Sequence, residues 1–170
     1  MKTNYYDFLM RLPVYETSLD IGSTLKNNLE NYLLSQRDEM KHTTNVKATM
    51  TNWTTHKTNA EFKALSDTVL MVAKDIVKTK VPLYTSECWG AVYTKGQETK
   101  VHNHWPYLWS WCYYVKTPKG SSPLVFPESN IIFEPNEGEL VIFSSLAKHL
   151  VPPCSCEDKR IMIAGNIGIK

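Results

Sequence analysis

Two histidines lie one residue apart in the segment His102-Asn103-His104, within a stretch of strand-forming residues. Because alternate side chains of a strand point to the same face, a strand here would direct both imidazoles into the same space. Imidazole nitrogens are ligands of Fe, Zn, Ni and Cu ions in proteins. The pair alone is equally compatible with two surface histidines, so a metal site needs a third ligand from elsewhere in the chain.

His149 is the candidate for that third ligand. The chain has five histidines, and two of them, His42 and His56, fall in a polar segment that is predicted to be a loop. His149 instead follows the apolar strand predicted at Glu139–Phe143, and a sheet would bring it beside the pair. The sequence therefore predicts a metal site formed by three imidazoles.

Arg160 adds a second kind of chemistry, eleven residues after His149 and at the start of the last predicted strand. An arginine buried in a barrel needs an anionic partner, and its planar guanidinium pairs with a carboxylate through two hydrogen bonds. A small dicarboxylate that chelates the metal at one end and pairs with Arg160 at the other would meet this need. The alternative is a solvated arginine at the end of the charged run Glu157–Arg160.

The elements that position these residues fall into two parts of one predicted domain, residues 1–170. Residues 1–80 are predicted to hold an opening strand, Phe8–Tyr15, and two supporting helices. The apolar periodicity places the helices at Gly22–Met40 and Asn59–Lys80, and Asn59 is expected to cap the second one.

Residues 81–170 alternate short strand-forming runs with Gly, Pro and Asn turn signals. Such spacing favours an antiparallel sandwich or barrel, so the predicted fold class is mainly β, a jelly-roll core with two N-terminal helices packed on one face. The predicted strands are Cys88–Tyr93, Val101–Trp105, Leu108–Val115, Leu124–Phe126, Ile131–Phe133, Glu139–Phe143, His149–Val151 and Ile161–Ile169.

Composition excludes several function classes. The 19 basic and 17 acidic residues give a net charge of +2, which does not indicate a nucleic-acid partner. No apolar run approaches the ~18 residues of a membrane helix, and residues 1–12 lack the apolar core of a signal peptide. A cytoplasmic protein is therefore expected. Its four cysteines, Cys88, Cys112, Cys154 and Cys156, are expected to be free thiols, since a bond between the last two is geometrically strained.

Several motifs follow one another between Trp89 and Asn166, over about half of the chain. They are Lys95-Gly96, His102-Asn103-His104-Trp105-Pro106, Ser110 to Val115, Gly138 to Leu146, His149, and Arg160 to Asn166. In order and spacing they resemble the double-stranded β-helix 2-oxoglutarate/Fe(II) oxygenases. The resemblance is greatest to small phage and marine-bacterial members, which are relatives of the prolyl hydroxylases.

The resemblance implies Fe(II) as the metal and 2-oxoglutarate as co-substrate. His102 would be the first metal ligand and His149 the last, with His104 between them. Arg160 would bind the distal carboxylate of 2-oxoglutarate. No catalytic side chain beyond the metal ligands is implied.

Further roles follow position by position from the same resemblance. Tyr114 stands where related enzymes place a tyrosine that hydrogen-bonds the distal carboxylate. Tyr93 would contact the co-substrate or line its pocket. Asn166, on the strand of Arg160, would face the interior and also contact the co-substrate. Next to the histidine pair, Trp105 and Tyr107 are the aromatic residues expected to touch substrate.

The chain departs from the family pattern at two positions. His104 stands where most members have Asp or Glu, although the phage-type subgroup often has His-x-His. Glu98 has the strand parity of His102 and is an alternative ligand, but Gly96 indicates a turn there. Met162 stands two residues after Arg160, where many relatives carry a hydroxyl group. The native metal stays open, since three histidines also describe a catalytic zinc site.

The predicted function is a dioxygenase that hydroxylates a carbon of an unidentified small-molecule or peptide substrate and releases succinate and CO2. It would act in the cytoplasm, that of the host if the chain is phage-encoded. One alternative is a cupin-type metal protein, since Gly96 and His-x-His fit the first cupin motif, although Gly138 and His149 are too far apart for the second. The second alternative is a non-catalytic phage structural or binding β-module, in which metal is dispensable.

Overall fold

The computed structural model describes residues 3–5, 10–41 and 43–170. Within these ranges, ten strands and two α-helices follow one another, with a short 3-10 turn at Thr55–Lys57. The elements are β1 Val14–Ser18, α1 Ser23–Ser35, β2 Thr49–Met50, α2 Ala60–Val77, β3 Leu83–Tyr93, β4 Thr99–His102, β5 Trp109–Lys116, β6 Leu124–Phe126, β7 Ile131–Phe133, β8 Glu139–Ser144, β9 His149–Val151 and β10 Arg160–Ile169.

The strands form two antiparallel sheets. The larger sheet has the order β1-β8-β5-β10-β3-β2, and the smaller one has the order β4-β9-β6-β7. Side chains alternate along β10, so that Met162 and Ala164 face the interior between the sheets, whereas Ile161 and Ile163 face the helices. The predicted class, mainly β with two helices on one face, is confirmed.

Both helices pack on the outer face of the large sheet through a separate apolar cluster. Leu33 of α1 and Phe62 of α2 are fully buried there, and each such burial stabilises the fold by roughly 1.5–3 kcal/mol. A Cβ atom on Gly90 of β3 would lie 2.1 Å from Leu33 Cδ2, so this close approach of helix and sheet requires glycine. The helices thereby support the strands that carry the interior site.

Both helices begin within one residue of their predicted starts, but each ends before its predicted end. Asn59 caps α2 as expected, because its side-chain oxygen accepts a hydrogen bond of 2.9 Å from the Phe62 amide. α2 ends at Val77, where Lys78 turns to the left-handed conformation (φ 48°). α1 ends at Ser35, five residues before its predicted end, because the chain becomes extended and brings Met40 onto the interior cluster. Neither α-helix is long and apolar enough to cross a lipid bilayer in the part of the chain that the structure describes.

The first strand begins later than predicted. β1 starts at Val14, directly after Pro13, and pairs with β8 at the edge of the large sheet. Proline lacks an amide donor and is tolerated at such a boundary. Residues 8–9 of the predicted strand lie outside the described residues.

The expectation of four free thiols was wrong for one pair. Cys154 and Cys156 form a disulfide with Cα atoms 5.6 Å apart, within the usual range for this bond. Fixed neighbours hold the segment at that spacing: the Cys154 amide donates to the Gln97 carbonyl (2.8 Å), and the Ser155 hydroxyl donates to the Gly120 carbonyl (3.0 Å). Cys88 and Cys112 are buried free thiols, as expected.

Candidate metal centre and anion pocket

Three histidines meet at one end of the interior. β4 pairs with β9 so that His102 and His149 are register partners, and their ring centroids lie 4.4 Å apart. The His104 ring lies 4.8 Å from that of His102 and 5.0 Å from that of His149. One ligand nitrogen from each residue lies within 4.8 Å of the other two, and no carboxylate belongs to this cluster among the described residues. Three imidazoles are thus placed to share one metal ion.

Backbone carbonyls orient two of the rings. Nδ1 of His102 lies 2.8 Å from the Lys100 carbonyl, and Nδ1 of His149 lies 3.0 Å from the Ala147 carbonyl. These contacts place the proton on Nδ1 and leave Nε2 with a free lone pair, as in most protein metal sites. His102 and His149 are therefore oriented as ligands before any ion binds.

The surroundings keep the imidazoles neutral. Burial lowers the pKa of His104 to about 2, with the nearby His149 and His102 adding to the shift. Burial, and then the proximity of His102, lowers the pKa of His149 to about 3. Burial also lowers the pKa of His102. Neutral imidazole is the form that binds a metal ion, so the cluster has the required protonation state at neutral pH.

His104 reaches the cluster by a different route from the one predicted. The strand expected at Val101–Trp105 ends at His102, so strand alternation does not place His104. Its amide instead donates to the Ser145 carbonyl (2.8 Å), and its carbonyl accepts from the Tyr107 amide (3.0 Å). A loop anchored on the neighbouring strand end holds this ligand.

A buried polar network holds the strand ends against which that loop lies. The Ser145 hydroxyl lies 2.8 Å from the Ser110 hydroxyl, which donates to Asn166 Oδ1 (2.7 Å). Asn166 Nδ2 in turn donates to the Glu87 carboxylate (2.7 Å), and the Tyr107 hydroxyl interacts with the same carboxylate. Both polar atoms of Asn166 therefore have protein partners, and its expected contact with a co-substrate stays a prediction.

Arg160 is buried in the interior with hydrogen-bond donors that lack acceptors. Only 1% of its surface is exposed, and its guanidinium lies 4.8 Å from the ring centroid of Tyr93 and 5.4 Å from that of Tyr114. Arg160 Nε and Nη1 and the Tyr114 hydroxyl have no hydrogen-bond partner among the residues that the structure describes. Burial raises the pKa of Tyr114, which keeps its hydroxyl a donor. These unpartnered donors fit the carboxylate of a small molecule.

Tyr93 and Met162 are the strand neighbours of Arg160 and Tyr114 in this candidate anion pocket. The Tyr93 hydroxyl lies 2.6 Å from the Thr99 hydroxyl, and burial raises its pKa. Met162 pairs with Tyr114 across the sheet and is 6% exposed, so the position that carries a hydroxyl group in many relatives is apolar here. Since Thr99 and His102 both belong to β4, the pocket and the histidine cluster lie along one strand.

A cavity of about 520 Å³ opens onto His102 and His104. Trp53 and Trp89 form one wall, with ring centroids 4.7 Å apart in an edge-to-face contact. Residues 43–47 form another, held to the chain around β4 by hydrogen bonds from Lys47 N to Glu98 O (2.8 Å) and from Lys100 N to Asn45 O (3.0 Å).

Sequence reasoning missed this cavity wall, although one signal pointed to it. The Thr- and Asn-rich segment between the helices is longer than an ordinary connection, and loops of that length are usually functional. Trp105 and Tyr107, the aromatics expected to touch substrate, line a different cavity of about 390 Å³, where Trp105 is 70% exposed.

Comparisons with known proteins find likeness in structure alone. No family model and no curated protein matches the sequence. The viral collagen prolyl hydroxylase of Paramecium bursaria Chlorella virus-1, as its 2OG complex, superposes with a TM-score of 0.73 at 14% identity, over 91% of this chain and 94% of that one. The chain has the fold of the 2-oxoglutarate/Fe(II) oxygenases. The predicted double-stranded β-helix is thereby confirmed.

Two further structures share this fold. HygX from Streptomyces hygroscopicus, with nickel, 2-oxoglutarate and hygromycin B bound, gives a TM-score of 0.69 at 13% identity, over 91% of this chain and 82% of that one. A Trichoplax adhaerens prolyl hydroxylase, in complex with a hypoxia inducible factor peptide fragment, gives 0.67 at 17% identity, over 91% and 83%. The molecules bound to these two neighbours thus include a small molecule and a peptide fragment.

Proposed function

We propose that the protein is an Fe(II)- and 2-oxoglutarate-dependent dioxygenase that hydroxylates a carbon of a small-molecule or peptide substrate. The observation that carries the proposal is the buried Arg160, whose Nε and Nη1 have no partner, in the same interior as three metal-binding imidazoles. A buried cation without a partner is costly, and a dicarboxylate anchored at the metal offsets that cost. A metal site alone would not require such an arginine.

Each side chain then has a defined task. His102, His104 and His149 would hold Fe(II). Arg160 would pair with the distal carboxylate of 2-oxoglutarate, and the Tyr114 hydroxyl would donate a hydrogen bond to it. When bound, Fe(II) and 2-oxoglutarate supply the oxidising chemistry, in which O2 hydroxylates a substrate carbon and succinate and CO2 are released.

Aromatic side chains pack against two of the imidazoles. Phe143 lies 4.7 Å and Phe126 lies 6.0 Å from the His149 ring, both measured between centroids. The Trp89 ring lies 5.9 Å from that of His104. Substrate enters through the cavity that opens onto His102 and His104.

Succinate formation tests the proposed reaction. The wild-type protein with Fe(II), 2-oxoglutarate, ascorbate and O2 is expected to release succinate slowly alone and faster with a true substrate. His149→Ala is expected to abolish release, whereas His56→Ala, which changes a histidine outside the cluster, is expected to retain it. Equal release by wild type and His149→Ala would contradict the proposal.

A cupin-type metal protein that does not use 2-oxoglutarate is the second candidate. One observation favours it: the cluster contains three histidines and no carboxylate, a set that also suits zinc. That candidate predicts metal binding without any affinity for 2-oxoglutarate. It leaves the buried Arg160 unexplained, which is why we place it second.

A further inference from the structure

We infer that the substrate carries an anionic group, a carboxylate or a phosphate, next to a flat apolar group. Lys100 would bind the anionic group, and Trp53 and Trp89 would contact the flat one. The inference rests on the proposed function, since it takes the cavity at His102 and His104 as the substrate site.

The charged side chains that line this cavity have one sign. They are Lys47 and Lys100, and no Asp or Glu lines the cavity among the described residues. The Lys47 ammonium group donates to the Thr44 carbonyl (2.6 Å). Lys100 is exposed, and no described carboxylate forms an ion pair with it. A cleft lined by charge of one sign attracts ligands of the other.

The histidine cluster adds to this positive field. The common iron site of oxygenases has two histidines and one carboxylate. With a third neutral imidazole in place of the carboxylate, the occupied centre carries one more positive charge. With His104 in place of a carboxylate, the occupied site is more positive, and Lys100 adds further positive charge.

The indole pair indicates the shape of the neighbouring group. Trp89 is 3% exposed and meets Trp53 edge to face, so the pair forms a firm wall beside His104. Aromatic walls favour rings and other flat apolar surfaces. A volume of about 520 Å³ is within the range of small-molecule sites. A compact anion with one ring fits both the charge and the wall.

Three probe molecules that share a benzene ring separate the contribution of the anionic group from that of the flat apolar group. Benzoate carries a carboxylate, phenyl phosphate carries a phosphate, and benzamide is neutral. Calorimetric titration into the wild-type protein is expected to show one or both anions binding about tenfold more tightly than benzamide. The anion that binds more tightly shows whether the substrate's anionic group is a carboxylate or a phosphate.

Variants locate the binding. Lys100→Met keeps the side-chain length and is expected to remove the preference for the anion, whereas Lys119→Met, outside the cavity lining, is expected to keep it. Trp53→Ala is expected to weaken all three probes. Benzamide binding as tightly as the anions would overturn the inference, as would a preference that persists in Lys100→Met, since the anion would then occupy another site such as Arg160.

These titrations need no iron, 2-oxoglutarate or O2. A wild-type protein that forms succinate but shows no preference for the anions over benzamide would overturn the inference alone. Retention of the preference in a protein that binds no 2-oxoglutarate would overturn the proposed function alone.

Discussion

At the scale of single residues, the buried imidazoles link the site to the stability of the metal-free protein. An unfolded chain binds a proton at each histidine near pH 6.5, whereas His104 and His149 stay neutral in the folded state until about pH 2 and 3. The unfolded state therefore binds more protons below pH 6.5, and the fold loses stability as the pH falls. Above pH 7 these two residues contribute no pH dependence.

This sign gives a first prediction. Between pH 6.5 and 4, the free energy of unfolding of the metal-free protein should fall by at most about 1.4 kcal/mol per pH unit for each histidine. Urea unfolding at several pH values measures it. His149→Gln should reduce this slope. His56→Gln removes another buried histidine, whose pKa burial also lowers, and it should reduce the slope less. An unchanged slope in His149→Gln would contradict the argument.

A second prediction concerns Arg160. Because two nitrogens of its buried guanidinium have no hydrogen-bond partner among the described residues, Arg160→Met should raise the free energy of unfolding of the ligand-free protein by about 1–4 kcal/mol while removing the anion site. Thermal unfolding with and without 2-oxoglutarate measures both effects. The matched control is Arg37→Met at an exposed position, which should change stability by less than about 0.5 kcal/mol.

At the scale of elements, the loop that carries His104 depends on strands that are distant in sequence. Unlike His102 and His149, His104 has no ring contact to a backbone carbonyl among the described hydrogen bonds. Its position follows from its backbone bonds and from the polar network at Ser145 and Asn166. Disturbing the network should therefore act on the metal site.

Asn166→Leu is the corresponding third prediction. The variant removes the donor to Glu87 and the acceptor for Ser110, and it should weaken Co(II) binding by roughly 10–100-fold, the range for residues that orient metal ligands. Visible absorption of the Co(II)-loaded protein measures it. The control Thr68→Ala, on α2 and outside the polar network, should leave binding unchanged. Full Co(II) affinity in a folded Asn166→Leu protein would show that the network is structural only.

Helix α2 and the loop that carries His104 differ in how well the sequence predicts them. The Asn59 cap and the apolar stripe of α2 are local signals, and they predicted the start of that helix correctly. That His104 would join the cluster was predicted for a reason that was wrong, because the strand ends at His102. The position of His104 depends on Ser145, a contact that local periodicity does not encode.

Across the whole molecule, regularly spaced short strands predicted an antiparallel sandwich or barrel. The family resemblance implied the double-stranded β-helix, and the structural likeness confirms it. The wall of Trp53 and Trp89 was not predictable, because it joins an irregular loop to β3 through packing alone. The disulfide was missed for a similar reason, since contacts to Gln97 and Gly120 set the Cys154–Cys156 spacing. The single domain of residues 1–170, the phage origin and the cytoplasmic location stay predictions.

The central claim is that the histidine cluster and Arg160 together hold one metal and one dicarboxylate. Anaerobic calorimetric titration of 2-oxoglutarate into the protein tests it most directly, with and without Fe(II). We predict tight, one-to-one binding only when Fe(II) is present, and loss of this binding in Arg160→Met but not in Arg37→Met. Binding of Fe(II) with no binding of 2-oxoglutarate to the wild-type protein would contradict the claim.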